Sequence, residues 1–191
     1  MFCGGITVFN PIVECGVLPT HKVGVVGVGG LGHLALQFLN KWGCEVVAFS
    51  SNPAKHEECI AMGAHRVVDS TNPDQINGLA GTLDLILVTA TANLDWAAYI
   101  NALAPRGKLH VVAALTDPIP AVAFPLIIGQ KSISGSPLGS PATTASMLDF
   151  AARHNIQPLT QTFPLSRANQ AIDHLKAGKA RYRVVLTNDL S

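Results

Sequence analysis

A chain of 191 residues that is 48% hydrophobic and 13% charged can bury a substantial core, and its composition excludes a disordered segment. Thirteen basic against twelve acidic residues leave a formal charge of +1, with no long basic run, which argues against nucleic acid or an anionic membrane as partner. No leader segment and no apolar stretch long enough for a bilayer is recognisable, so a cytoplasmic location is expected. The four cysteines, Cys3, Cys15, Cys44 and Cys59, form no C-x-x-C pair; Cys44 and Cys59 read as small core residues.

In chain order, Lys22 to Val28 reads as a short buried strand, and a helix begins near Leu31 with apolar Leu34, Ala35 and Phe38 on one face. Between them, Gly27, Gly29 and Gly32 fit G-x-G-x-x-G. The first glycine permits a tight turn, the second a close approach of backbone to a pyrophosphate, and the third close helix–strand packing. Gly27, Gly29, Gly30, Leu31 and Gly32 are therefore the expected phosphate-facing elbow, with the anion at the helix N-terminus. His33 follows directly; it is expected to pack at the helix start rather than relay protons.

The next strand, Glu45–Ser50, should end beside an adenosine ribose. Where NAD-binding chains place a carboxylate, this one has Ser50, Ser51 and Asn52, with Lys55 beyond. Hydroxyls, an amide and an ammonium suit a 2′-phosphate, which a carboxylate would repel, so NADP(H) is expected over NAD(H). The same residues also suit a plain helix cap, with Pro53 in the first turn. Glu45 lies at the wrong end of its strand for the acidic role.

Alternation then continues. A helix over about Pro53–Met62 precedes a strand at Arg66–Asp69; helix or loop through Gln75–Ala80 leads to a strand at Leu83–Val88. A helix near Leu94–Leu103 precedes a strand at Lys108–Ala113. The pattern predicts an α/β fold, a doubly wound parallel sheet of the Rossmann kind. The rhythm is lost after the proline-rich Thr116–Pro125. Helices near Ala142–Arg153 and Arg167–Lys176 and a final strand at Arg181–Leu186 complete the chain. The expected organisation is a dinucleotide-binding domain with its leading helix over 1–138, followed by a C-terminal segment over 139–191.

Cys3-Gly4-Gly5-Ile6-Thr7-Val8, the elbow through His33, Ser50-Ser51-Asn52 with Lys55, Gly135-Ser136-Pro137-Leu138-Gly139-Ser140 and Arg181-Tyr182-Arg183-Val184-Val185 occur in an order and spacing that resembles the C-terminal half of zinc-dependent medium-chain alcohol dehydrogenases, most closely the cinnamyl-alcohol-dehydrogenase-like branch. The resemblance implies hydride transfer between a primary alcohol or aldehyde and NADP(H), with zinc as Lewis acid in the complete enzyme. It implies that Cys3 is one of the catalytic zinc's protein ligands, the others lying on an N-terminal lobe outside these residues, so that the chain alone is expected to bind NADP(H) without ordering zinc and with negligible turnover. It further implies that Thr7, Thr89, Ala90, Thr91 and Ala113 lie along the nicotinamide and its ribose, that Ser136 and Leu138 flank backbone holding the carboxamide, and that Arg183 lies near the pyrophosphate. The 139–191 segment is then part of the otherwise missing catalytic domain, and a homodimer is expected through edge strands near Leu126–Ser134. A stand-alone NADP(H)-binding sensor is the alternative. A short-chain reductase needs Tyr-x-x-x-Lys, but Leu103 and Leu186 follow Tyr99 and Tyr182 at that spacing.

Overall fold

The computed structural model describes residues 1–190, and Ser191, the last residue of the expected C-terminal segment, lies outside them. The chain forms two compact units, Met1–Ile156 and a second from Gln157 onward. In the first, β1 (Lys22–Val26), β2 (Glu45–Ser50), β3 (Arg66–Asp69), β4 (Leu83–Val88), β5 (Leu103–Val111) and β6 (Ser132–Gly135) build one sheet in the order β3-β2-β1-β4-β5-β6. Every pairing is parallel, so the expected doubly wound sheet is what the residues form.

Helices α1 (Gly4–Glu14), α2 (Gly32–Trp42), α3 (His56–Ala61), α4 (Pro73–Asn77), α5 (Trp96–Ala102), α6 (Ala123–Gly129) and α7 (Pro141–His154) accompany the sheet. Burial of both sheet faces explains the near-continuous apolar strands. On one face Val26, Phe49, Ile86, Val88 and Leu109 pack with Trp96, Tyr99 and Ile100 of α5. Elsewhere an aromatic cluster ties helices together: the Phe9 ring lies 5.3 Å from Phe38 and 5.7 Å from Phe150, and Trp42 lies 5.4 Å from Phe150. Each such side chain contributes about 1.5–3 kcal/mol by leaving water. Burial also pushes the Cys44 and Cys59 thiols up to about 11, as inert core residues require.

Several elements differ from their sequence-based expectations. β1 stops at Val26, because Gly27 already turns with φ of +88°. The helix expected over Pro53–Met62 divides into a 3₁₀ turn, Pro53–Lys55, and α3. The edge strand expected near Leu126–Ser134 is confined to β6, while Ala123–Gly129 is helical and ends at Gln130 with φ of +49°. Helix α7, Pro141–His154, belongs to the first unit.

The second unit contains β7 (Thr160–Pro164), α8 (Ala168–Lys176) and β8 (Arg183–Thr187), the two strands pairing in parallel. Ser166 donates from its backbone N–H and its hydroxyl to the Asp189 carboxylate at 2.9 and 2.6 Å, which holds that carboxyl below the usual range. Gln161 Oε1 accepts from the Arg181 N–H at 3.0 Å and lies 2.9 Å from His174 Nε2.

Candidate cofactor-binding site

The strand order reverses direction at β1 and β4, which leave the sheet side by side, and a crevice outside their C-terminal ends is the binding position of this architecture. The glycine elbow occupies it. Gly27 has a left-handed φ of +88°, and a Cβ there would stand 2.6 Å from the Ala90 methyl carbon. A Cβ on Gly32 would stand 2.0 Å from the Gly27 carbonyl oxygen, so no side chain fits where α2 begins. A Cβ on Gly29 would meet nothing within 4 Å; this glycine faces open space, where a ligand can approach the backbone.

Three carbonyls of the elbow are held by side chains from three directions. The Thr89 hydroxyl donates to Gly27 O at 2.6 Å, with Val26 O at 3.1 Å, the Lys55 ammonium donates to Val28 O at 2.8 Å, and His33 Nδ1 lies 3.0 Å from Gly29 O. Peptide carbonyls point opposite to the following N–H. Holding these carbonyls turns the N–H groups that follow them, those of Val28, Gly29 and Gly30, the opposite way, while the Gly27 N–H itself donates to Phe49 O at 3.0 Å. Leu31 at the N-cap makes no side-chain cap, so the first donors of α2 are not taken by it. This donor set fits a pyrophosphate.

At the end of β2, Ser50 Oγ accepts from the Asn52 N–H at 3.3 Å, and Asn52 Oδ1 accepts from the Ala54 N–H at 3.0 Å. The cap expected here thus forms, and Ser51, exposed beside it, completes a group of neutral donors near Lys55. Glu45 pairs with Lys22 at 3.0 Å at the opposite end of the strands.

Thr7 is buried in α1 and donates from its hydroxyl to Cys3 O at 2.9 Å. Thr89 and Ala90 stand half-buried at the elbow, and exposed Thr91 follows them. Ala113 is half-buried just beyond β5, and its carbonyl accepts from the Leu115 N–H at 3.0 Å. Ser136 follows β6 half-buried, and Leu138 is exposed. Arg183 is exposed at the head of β8, in the second unit. Cys3 is exposed at the N-cap of α1, and among the described residues no group of three or more His, Cys, Asp or Glu could hold a metal ion. One thiol does not make the donor set that a catalytic zinc needs, so these residues alone do not fit that ion.

His110, read from sequence only as a residue of an apolar strand, is the polar centre beneath the Ser136 loop. Its Nε2 lies 2.9 Å from Ser136 Oγ, and its Nδ1 lies 2.9 Å from Ser134 Oγ and 3.5 Å from Cys15 Sγ. His110 and Ser134 are register partners on β5 and β6. Burial, with the Lys108 charge, holds the imidazole below its usual range. Serines two apart, Ser134 on the strand paired with His110 and Ser136 just beyond it, are the signal that locates this network.

The chain matches the zinc-binding dehydrogenase family model over residues 30–153. An aldehyde reductase, AdhA, of a Synechocystis strain is 53% identical over 98% of this chain and 56% of its own length. A cinnamyl alcohol dehydrogenase structure from Sorghum bicolor superposes with a TM-score of 0.91 at 34% identity, covering 96% of this chain and 53% of that one. A cinnamyl alcohol dehydrogenase from Helicobacter pylori, solved with NADP(H), superposes at 0.84 with 30% identity over 96% of this chain and 52% of that one. The chain thus spans about half the length of the curated relatives it matches. Matched in sequence and in fold over nearly all of these residues, the chain belongs to the zinc-binding dehydrogenase family.

Proposed function

We propose that this chain is the NADP(H)-binding portion of an alcohol dehydrogenase or aldehyde reductase that moves hydride between a primary alcohol and the nicotinamide. The observation that carries the reading is the elbow with its carbonyls held inward, beside a β2 terminus bearing Ser50, Ser51 and Asn52 instead of a carboxylate. The N–H groups of Gly29 to Gly32 receive the pyrophosphate. Ser50, Ser51, Asn52 and Lys55 receive the 2′-phosphate, Lys55 exchanging its Val28 contact for the anion. Thr7, Thr89, Ala90, Thr91 and Ala113 line the nicotinamide riboside, and Ser136 and Leu138 present the backbone that holds the carboxamide. When bound, the nicotinamide supplies the hydride chemistry, and the protein supplies orientation and electrostatics.

Titration of the chain with NADPH and NADH in parallel tests this. NADPH is expected to bind at least about tenfold more tightly, the worth of a charge-assisted phosphate contact. Equal affinities would remove the 2′-phosphate assignment, and no binding of either would remove the reading itself. With one candidate zinc ligand among these residues, the same preparation should reduce aldehydes negligibly when zinc is added; brisk turnover would contradict that part.

A cytoplasmic homodimer belongs to the same reading, and no described helix is long and apolar enough to cross a membrane. β6 is an outer strand of the sheet, and nearby Val122, Phe124, Ile127 and Ile128 are 68–71% exposed. Exposed apolar side chains in the segment leading into an edge strand favour pairing with a second copy. Sedimentation at micromolar concentration should give a dimer mass; a monomer throughout would rule this surface out.

A further inference from the structure

We propose that His33 is a positioning residue for the dinucleotide: its imidazole fixes the Gly29 peptide and so aims the elbow at the pyrophosphate. The inference rests on the cofactor reading above. His33 is fully buried at the second position of α2. Its Nδ1 lies 3.0 Å from Gly29 O, and its own backbone N–H lies 3.1 Å from the same oxygen. A carbonyl oxygen only accepts, so Nδ1 carries the proton and the donor is fixed in direction.

The helical bond alone leaves the Gly29 peptide at the fraying first turn, preceded by a glycine-rich segment with much backbone freedom. A second donor from a buried ring pins that oxygen on the protein side. Because carbonyl and N–H oppose each other across a trans peptide, the Gly30 N–H is then held outward, toward the open space beside Gly29. Thr89 and Lys55 hold the two preceding carbonyls. Thr89 reaches the elbow from β4's end, and Lys55 has a 2′-phosphate to attend to. His33 belongs to the helix whose N-terminus receives the anion, and its contact persists whatever Lys55 does.

The test compares His33→Leu, which removes the donor, with His33→Asn, whose Nδ2 offers one near the same place. The ligands are NADPH and 2′-AMP, which shares the adenine and 2′-phosphate but has no pyrophosphate. His33→Leu should weaken NADPH about fivefold, the worth of one hydrogen bond, and leave 2′-AMP within about twofold. His33→Asn should restore NADPH to within about twofold of the parent. Unchanged NADPH binding in His33→Leu, or equal loss of both ligands, would overturn the proposal. Failure of the unmutated chain to bind NADPH would instead remove the cofactor reading beneath it. Should the leucine variant not fold, ¹⁵N NMR of the unmutated imidazole decides: a protonated Nδ1 supports the assignment, and a bare Nδ1 overturns it.

Discussion

Gly32→Ala is expected to abolish dinucleotide binding and to lower unfolding free energy by about 3 kcal/mol, the upper range for overpacking a well-filled site. The added Cβ would stand 2.0 Å from the Gly27 carbonyl oxygen and 3.1 Å from the Thr89 hydroxyl oxygen. Neither neighbour is the loose end of a flexible chain. Gly27 O is backbone, and Thr89 is itself tied to that oxygen at 2.6 Å. Relief requires α2 to move away from β1, which dismantles the elbow. Gly29→Ala is the informative control. Its Cβ enters open space, so the urea midpoint should barely move, within the ±0.5 kcal/mol or so of an ordinary surface change. Its methyl nonetheless stands where a pyrophosphate would approach, so NADPH affinity should fall. Urea denaturation and NADPH titration of both variants check the pair, and equal stability of the two would contradict the packing argument.

Ser50→Asp is expected to reverse the coenzyme preference. A carboxylate at the end of β2 repels a 2′-phosphate and instead accepts hydrogen bonds from ribose hydroxyls. Like charges brought together in a binding site cost several kcal/mol, so NADPH should weaken about a hundredfold, while NADH gains about threefold from a new hydrogen bond. The fold should tolerate the change, because the aspartate oxygens can still accept from the Asn52 N–H that Ser50 Oγ now takes. Parallel titrations with the two coenzymes measure both effects. An unaltered NADPH affinity would mean that the phosphate does not lie beside residue 50.

Most of the sheet was legible because its central strands are buried on both faces and its edge strand Arg66–Asp69 is bounded by polar residues. Glu45–Ser50, Arg66–Asp69 and Leu83–Val88 stand in the structure with the bounds read from their apolar runs. Local turn chemistry was legible too, since the Asn52 cap and the proline after it depend on neighbours in sequence. Elements whose identity depends on tertiary partners were not. Ala123–Gly129 is a short apolar run, which periodicity cannot divide between helix and strand. β7 contains Thr160, Gln161, Thr162 and Pro164, and becomes a strand only through pairing with β8.

The same distinction runs through the site. The glycine spacing announces the elbow, whereas the Thr89 and Lys55 contacts span 62 and 27 residues and exist only because the sheet brings their elements together. The His33 contact, by contrast, joins residues four apart. Helical side chains lean toward the N-terminus, so a histidine one turn beyond a glycine carbonyl was a readable sign.

An elbow braced from three sides has a thermodynamic corollary. A loop that is already ordered loses little freedom when its ligand arrives, so little of the gross attraction is diverted into freezing it. Because both coenzymes carry the pyrophosphate, this saving strengthens the two alike and cancels from their difference. Rigidity at the diphosphate end thereby raises affinity without choosing between coenzymes, and under the proposed reading the choice falls to the adenosine end, where Lys55 would give up Val28 O for the phosphoryl group.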